Sequence, residues 1–421
     1  MANPRKLAVK ALLKINTDSA YSNITLNSLF SESDASPMDK ALATALVYGV
    51  LDRKITIDYV LSKFLKTPLK KVAPFTKEVL RTAVYQIMFM DKIPESAAVD
   101  EAVKLVKASK ESRNSGFVNA VLRNILRAET LLPQGDSLED LSIIYSCPKE
   151  IIESFINDYG LDKAKRLLEE SLKSADITVR VNTVKTNVED FEKEIGIDTL
   201  KTDIEGGLIL KSGIDVGKNK HYNDGLFYVQ DLASQKAVSV LNPTADSRVL
   251  DMCAAPGGKS FTMALLMQNK GEIVSCDLYP QRVELIEKSA KRLGLSIIKT
   301  KVSDATVYDE GLGEFDYILC DAPCSGLGVI RRKPDIKYKA FEEFDSLCEI
   351  QLKILKNAVK YLKKGGKLLY STCTLRKKEN EDIVNAFLSE NKDFKCEYSH
   401  TFMPHTDGTD GFYCALLTNK N

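Results

Sequence analysis

Val249-Leu250-Asp251-Met252-Cys253-Ala254-Ala255-Pro256-Gly257-Gly258-Lys259-Ser260 reads as an apolar strand, a loop of small residues and the start of a helix. Small residues let a ligand approach the backbone, and a helix N-terminus offers unpaired N–H donors. Three ligand classes compete for such a loop. A P-loop needs a glycine five residues before Gly258, where Cys253 stands, so Gly258-Lys259-Ser260 imitates only the tail of that motif. A dinucleotide fingerprint needs Gly-x-Gly-x-x-Gly, and that spacing is absent. A nucleoside cofactor without a pyrophosphate fits best, which points to S-adenosylmethionine. Asp277 ends the next apolar run after Gly257, where a carboxylate can accept from both ribose hydroxyls. Asp304 follows the third run, placed to meet an adenine amino group. A lone strand-end aspartate is as often a helix cap; three in register, Asp277, Asp304 and Asp321, favour a ligand.

Outward from this loop the pattern is regular. Strands are predicted at 248–251, 272–277, 297–302, 316–321 and 366–371, separated by helical stretches such as 280–293 and 341–362. That alternation is the signature of a parallel sheet with crossover helices. A late apolar run, Phe412–Leu417, is expected to complete the sheet antiparallel. Upstream, strand-like runs at Ile177–Val181 and Gly207–Leu210 lie in a mixed region, after a short helical segment at about 138–170. The N-terminal stretch, 1–130, reads as helices. Leu80, Ala83, Val84 and Ile87 have helical spacing, as do Val99, Ala102, Val103 and Val106, and then Phe117, Val121, Leu122 and Ile125. Breaks fall at Ser36-Pro37, Thr67-Pro68 and Ile93-Pro94, and Pro133-Gln134-Gly135-Asp136 reads as a linker. The predicted domains are therefore 1–130, all-α; 138–230, mixed α/β; and 231–421, Rossmann-like.

Two cysteines follow predicted strands: Asp321-Ala322-Pro323-Cys324-Ser325-Gly326 and Ser371-Thr372-Cys373-Thr374. In open α/β sheets ligands bind beyond the carboxyl ends of the strands, so two thiols just past such ends can face one pocket. A single cysteine is more often a small buried hydrophobe; here the flanking residues favour covalent chemistry.

Bulk properties bound the rest. A chain of 421 residues exceeds one ordinary core, and 44% hydrophobic with 28% charged residues excludes general disorder. No apolar run approaches the length that crosses a bilayer, and no secretory signal follows Met1, so the expected place is the cytoplasm, without a membrane partner. Nine cysteines, an odd set without regular spacing, suit reduced thiols. With three histidines and no ligand cluster at metal-site spacing, no metal is expected. Net charge is +1, yet the stretch 1–130 carries 20 Lys and Arg against 13 Asp and Glu, a balance of +7 that leaves −6 for the remainder. A basic helical module is a footprint for a polyanionic partner, or equally a solvated helical surface.

The motifs Asp251-x-Cys253-Ala-Ala-Pro-Gly-Gly-Lys259, Asp321-Ala-Pro-Cys324-Ser-Gly326 and Ser371-Thr-Cys373-Thr374, in this order, resemble those of the RNA 5-methylcytosine methyltransferases of the NOL/Sun (Fmu) family. Val229-Gln230-Asp231-Leu232-Ala233-Ser234-Gln235, Arg331-Arg332-Lys333-Pro334-Asp335 and Asp410-Gly411-Phe412 extend the resemblance from about 140 to the C-terminus. The helical stretch 1–130 looks like a NusB-type RNA-binding domain, a combination similar to the RsmB-type bacterial 16S ribosomal RNA cytosine-5 methyltransferases. Cys147 and Cys414 stand where relatives carry histidine and an aromatic residue, and the chain has no tryptophan.

The resemblance implies S-adenosylmethionine as cofactor, 16S ribosomal RNA as partner and a monomer. It implies Cys373 as nucleophile at carbon 6 of cytosine, Asp321 as partner of the base and Cys324 as the base that removes the carbon-5 proton. The cofactor contacts it implies are Cys253, Ala254, Ala255, Pro256, Gly257, Gly258, Lys259, Asp277, Arg282, Asp304 and Asp321. Lys259 is open to three roles: lowering a thiol pKa, touching the cofactor or Asp321, or standing in solvent. Arg331, Arg332 and Lys333 read as phosphate contacts or as a surface charge run. Two rival functions are the same chemistry on transfer RNA and a non-catalytic RNA-binding assembly factor.

Overall fold

In the computed structural model, which describes residues 3–18 and 22–420, serine and proline set the helix boundaries of the first unit. Ser36 caps the helix Pro37–Asp52 in a reciprocal capping box with Asp39, and Pro94 precedes the helix Glu95–Lys107. Leu80, Ala83 and Val84 are buried in the helix Pro74–Phe89, and Val99, Ala102 and Val106 in the next, as their spacing predicts. In the helix Ser115–Leu126 the buried stripe is Val118, Val121, Leu122 and Ile125. Phe117 lies one position off it and is 37% exposed. Arg81 is buried between Asp58 and Glu78, at 2.7 Å from each.

This compact unit comprises Met1–Leu172 and Ile330–Lys339. The helices Leu138–Tyr145, Lys149–Tyr159 and Leu161–Ser171 thus belong to it, tied by Thr56 Oγ1 donating to the Ile143 carbonyl and the Ile55 amide donating to Ser146 Oγ. The segment 330–339 contributes Lys337, whose side chain is 1% exposed and whose Nζ donates to the Asp52 carbonyl at 2.7 Å and its carboxylate at 2.9 Å. Tyr338 donates to the Leu51 carbonyl.

The second unit, Lys173–Val329 with Ala340–Asn421, holds two sheets. β1 (Ile177–Val181), β2 (Thr199–Lys201), β3 (Gly207–Leu210) and β4 (Phe227–Val229) form an antiparallel sheet in the order β2-β3-β1-β4. The larger sheet runs β10-β11-β9-β8-β5-β6-β7, with β5 (Arg248–Asp251), β6 (Glu272–Asp277), β7 (Ile298–Val302), β8 (Phe315–Asp321), β9 (Leu362–Thr372), β10 (Phe394–Phe402) and β11 (Phe412–Asn419). β5 to β9 are parallel, and β11 pairs antiparallel with β9. The helix predicted over 341–362 ends at Ala358, and β9 begins at Leu362, so Lys363-Lys364-Gly365 lie inside the strand, ahead of its predicted start at 366. β10 has no counterpart in the sequence reading. It is an edge strand whose positions are almost all exposed or half-buried, so it lacks the apolar run that marks its neighbours.

The apolar runs Val249-Leu250, Ile318-Leu319-Cys320 and Leu368-Leu369-Tyr370 are buried on both faces, as a parallel strand covered by helices requires. From β5 the chain builds outward through β6 to β7, then returns to lay β8 and β9 on the other side of β5. The strand order therefore reverses between β5 and β8, and ligands bind beyond the carboxyl ends at such a switch point. Asp251, Asp277 and Asp321 are the last residues of β5, β6 and β8.

Candidate active site

Beyond β5 the chain turns through Met252–Gly257 into the helix Gly258–Leu266. Gly257 has φ +106°, and a Cβ there would meet the Phe261 ring at 2.4 Å, so only glycine serves. Beside the loop lies a cavity of about 170 Å³, lined by Val229, Gln230, Ser234, Asp251, Cys253, Ala254, Ala255, Pro256, Gly258, Lys259 and Asp321. Asp251 is fully buried. Its Oδ2 accepts from Ser260 Oγ at 2.6 Å, and its Oδ1 has no hydrogen-bond partner among the described residues. Burial pushes its carboxyl up to about 7. Gln230 Oε1 accepts from Thr262 Oγ1 at 2.7 Å, while its Nε2 has no partner among the described residues. Burial also pushes the Cys253 thiol well above its ordinary value.

Asp277, 3% exposed, is outside this lining. Its carboxylate accepts from the Ala255 amide at 3.3 Å and the Tyr279 amide at 3.2 Å, and pairs with Arg282 at 3.2 Å. Arg282 in turn donates to the Ala255 carbonyl at 2.8 Å. Both residues therefore brace the loop. Asp304 caps its own turn, accepting from the Thr306 amide and hydroxyl, and lines a separate cavity of about 10 Å³ with Leu250, Met252, Cys276 and Tyr361.

The register of β8 and β9 sets Asp321 opposite Ser371, so the loops bearing Cys324 and Cys373 leave the sheet side by side. Their sulfurs are 3.3 Å apart. The hydrogen bond to Cys373, and then burial, hold the Cys324 thiol well above its ordinary value. Asp321 accepts from Lys259 Nζ at 2.7 Å and Ser371 Oγ at 2.9 Å. Of the three roles open to Lys259, the structure shows the contact with Asp321. Burial works against the Lys259 ammonium, but Asp321 outweighs it and the charge is held above the ordinary lysine range, with Cys373 adding to the effect. Lys259 also lies 5.0 Å from the centre of the Phe412 ring.

The structure thus gathers Cys253, Ala254, Ala255, Pro256, Gly258, Lys259 and Asp321 at one cavity, sets Cys324 against Cys373, and keeps Gly257, Asp277, Arg282 and Asp304 outside that lining. Arg331, Arg332 and Lys333 fold with the helical unit. Sequence reasoning assigned no role to Asp251 and Gln230, although both stand in its motifs, nor to Ser371 and Glu379. Glu379 is 0% exposed, yet in sequence it closes Arg376-Lys377-Lys378-Glu379, which looks like a solvated charge run. Among the described residues no cluster of His, Cys, Asp and Glu could hold a metal ion, and no helix is long and apolar enough to cross a membrane.

The family described as 16S rRNA methyltransferase RsmB/F matches residues 238–418, and the NusB family matches residues 2–127. The fold and the site define a Rossmann-like methyltransferase joined to a NusB-like helical domain. A protein of Bacillus subtilis (strain 168) named probable ribosomal RNA small subunit methyltransferase B is 38% identical over 444 residues, covering 99% of this chain and 98% of its own. Ribosomal RNA small subunit methyltransferase B of Proteus mirabilis (strain HI4320) is 31% identical, covering 99% of both chains. The crystal structure of PH0851 superposes with a TM-score of 0.83 at 27% identity, over 100% of this chain and 99% of that one. The chain belongs to the ribosomal RNA small subunit methyltransferase B family.

Proposed function

We propose that the protein methylates carbon 5 of a cytosine in 16S ribosomal RNA, using S-adenosylmethionine and a transient covalent bond from Cys373 to the base. One observation carries this reading: two thiols 3.3 Å apart, beyond adjacent parallel strands and beside the Lys259–Asp321 pair. The names of the relatives support the ribosomal substrate.

S-adenosylmethionine, when bound, supplies a methyl group made electrophilic by its sulfonium charge. The residues fit it. Asp251 and Gln230 line the cavity, each with a buried polar atom lacking a protein partner among the described residues, an acceptor and a donor for the ammonium and carboxylate of the methionine end. Asp277 is assigned to the ribose hydroxyls, since a carboxylate oxygen has two acceptor sites and its present bonds leave capacity. Asp304 is assigned to the adenine amino group.

Cytosine carbon 5 is too poor a nucleophile unaided. Addition of Cys373 Sγ to carbon 6 pushes an electron pair toward carbon 5, which can then accept the methyl group. The Lys259 ammonium favours an ionised sulfur nearby, and Asp321 offers carboxylate oxygens to the exocyclic amine of the base. After transfer the carbon-5 proton leaves, and the electron pair of that C–H bond restores the double bond as the sulfur–carbon-6 bond breaks. Cys324 is suited to take that proton. While Cys373 is free, the hydrogen bond between the sulfurs is the first cause keeping Cys324 protonated. Once Cys373 is a thioether that cause weakens, and Cys324 ionises more easily at the step that needs a base. The target must be unpaired or flipped to enter such a pocket.

Bisulfite mapping of ribosomal and transfer RNA from cells with and without the gene tests this. One cytosine of 16S RNA should lose protection in the deletion strain. Loss in transfer RNA instead would move the substrate, and loss nowhere would leave a binding factor.

A further inference from the structure

The Glu379 carboxylate touches both loops that bear the thiols. Its Oε2 accepts from the Ser325 amide at 2.8 Å, immediately after Cys324, and from Gln351 Nε2 at 3.1 Å; Gln351 Nε2 also donates to the Pro323 carbonyl at 2.9 Å, immediately before Cys324. Its Oε1 faces Thr374 Oγ1 at 3.5 Å, immediately after Cys373, and Arg376 Nη1 at 3.4 Å. Ser325 and Thr374 close the circuit with a hydroxyl pair at 2.7 Å. The next residue braces the Cys373 loop alone: Asn380 accepts from Thr372 Oγ1 and donates to the Thr374 carbonyl. Tyr370 donates to the Glu379 carbonyl at 2.7 Å, fixing the backbone that carries both.

We infer that Glu379 is a positioning residue which clamps the Cys324 loop to the Cys373 loop and so sets the sulfur–sulfur separation. The inference rests on the roles proposed above for the two cysteines. Donors converge on it from a backbone amide, a side-chain amide, a hydroxyl and a guanidinium, and only a carboxylate accepts from so many at once. Stability alone does not explain the choice. A buried ion pair is commonly neutral or worse for stability beside well-packed apolar residues, and here Glu379 and Arg376 are 0% and 4% exposed. Glutamine at this position is nearly isosteric but turns one acceptor into a donor facing donors. One loop must then move.

Phenylarsine oxide reads the separation directly, because its arsenic forms two As–S bonds with neighbouring thiols and releases water. The wild-type full chain should capture one equivalent, and Cys324→Ala should not. Glu379→Gln, assayed at a temperature where it stays folded and with an unchanged cofactor KM, should lose about tenfold in arsenical affinity and about 100-fold in kcat, as ångström-scale misplacement of reacting groups does. A folded Glu379→Gln protein with wild-type capture and kcat overturns the clamp. If that variant unfolds, Thr374→Val decides, since it keeps the buried charge and removes the hydroxyl that meets Glu379, Ser325 and the Arg376 amide: weakened capture supports the clamp, and intact capture with intact kcat overturns it. A wild-type protein that captures arsenic but methylates nothing sinks the proposed function and leaves the clamp standing on the capture arm.

Discussion

The loops beyond β8 and β9 and the loop beyond β5 open at the same edge of one sheet, but their polar groups are held differently. Around Cys324 and Cys373 the loops are cross-linked by hydrogen bonds to Glu379 and Gln351, and Asn380 ties the Cys373 loop to itself. Around the cavity, Asp251 Oδ1 and Gln230 Nε2 are buried without partners among the described residues. An unpaired buried polar atom costs about 1–3 kcal/mol, and Gln351 Oε1 and Arg376 Nε are such atoms at the thiol end too; the contrast is that there the two loops are tied to each other, whereas Asp251 and Gln230 line a cavity. The difference separates two tasks. The proposed covalent step needs groups fixed before the base arrives, whereas a ligand-binding cavity gains affinity by leaving bonds for the ligand to make.

The largest effect should come from the fixed end. Cys373→Ala should lower methylation by about 10⁶-fold, as loss of a covalent nucleophile does, and form no covalent RNA complex. Cys324→Ala should instead accumulate a protein–RNA adduct that survives denaturing electrophoresis, because addition proceeds while elimination stalls. Two packing cysteines would give similar modest stability losses and no adduct; an adduct with Cys373→Ala alone would reverse the assignment.

At the ligand end, Asp277→Ala should weaken S-adenosylmethionine binding by about 1.5–3 kcal/mol, the scale of hydrogen bonds to charged groups. Calorimetry showing unchanged affinity in a folded variant removes Asp277 from the site. Asp251→Asn keeps one acceptor and should cost about 1 kcal/mol of affinity, with the opposite sign for stability. Burial raises the folded Asp251 carboxyl to about 7, above an unfolded value of about 3.9. Its neutral form therefore supports the fold fully at low pH, and that support is lost as pH rises from about 4 through 7. Urea unfolding should show Asp251→Asn gaining on wild type across that window; a constant difference from about pH 4 to 8 would place the titration elsewhere.

The smallest effect concerns the helical unit. Arg113, Arg123 and Arg127 are all exposed on it, and changing each to Gln should lower the slope of log affinity against log salt by about 1 per lost phosphate contact. Cofactor affinity should stay constant. An unchanged slope assigns the basic surface to something other than RNA.

Most of the parallel strands were legible because β5, β6, β8 and β9 carry short apolar runs ended by an aspartate or a small residue, a local signal that burial on both faces imposes; the edge strand β7, Ile-Lys-Thr-Lys-Val, was placed by the spacing of the alternation instead. Cys324 and Cys373 were legible for a related reason, since adjacent strands in register bring their ends together. What escaped was non-local. Glu379 matters through Ser325, 54 residues away, and nothing in its own neighbourhood marks it as buried. Phe117 fits a helical pattern of apolar residues but sits beside the true stripe, where periodicity alone cannot choose between neighbouring apolar positions. β10 escaped because an edge strand is written in mixed residues.

The insertion of Ile330–Lys339 into the helical unit bears on the order of biosynthesis. A nascent chain emerges from its N-terminus, so everything up to Leu172 is made long before the segment that supplies Lys337 to Asp52. Until translation passes Lys339, the Asp52 carboxylate and the Leu51 carbonyl lack these partners, and the helical bundle waits in an incomplete form while most of the catalytic sheet is still being polymerised. Cutting the gene between the two modules would therefore strand part of the first inside the second, and a free-standing helical fragment would need the missing segment returned to it.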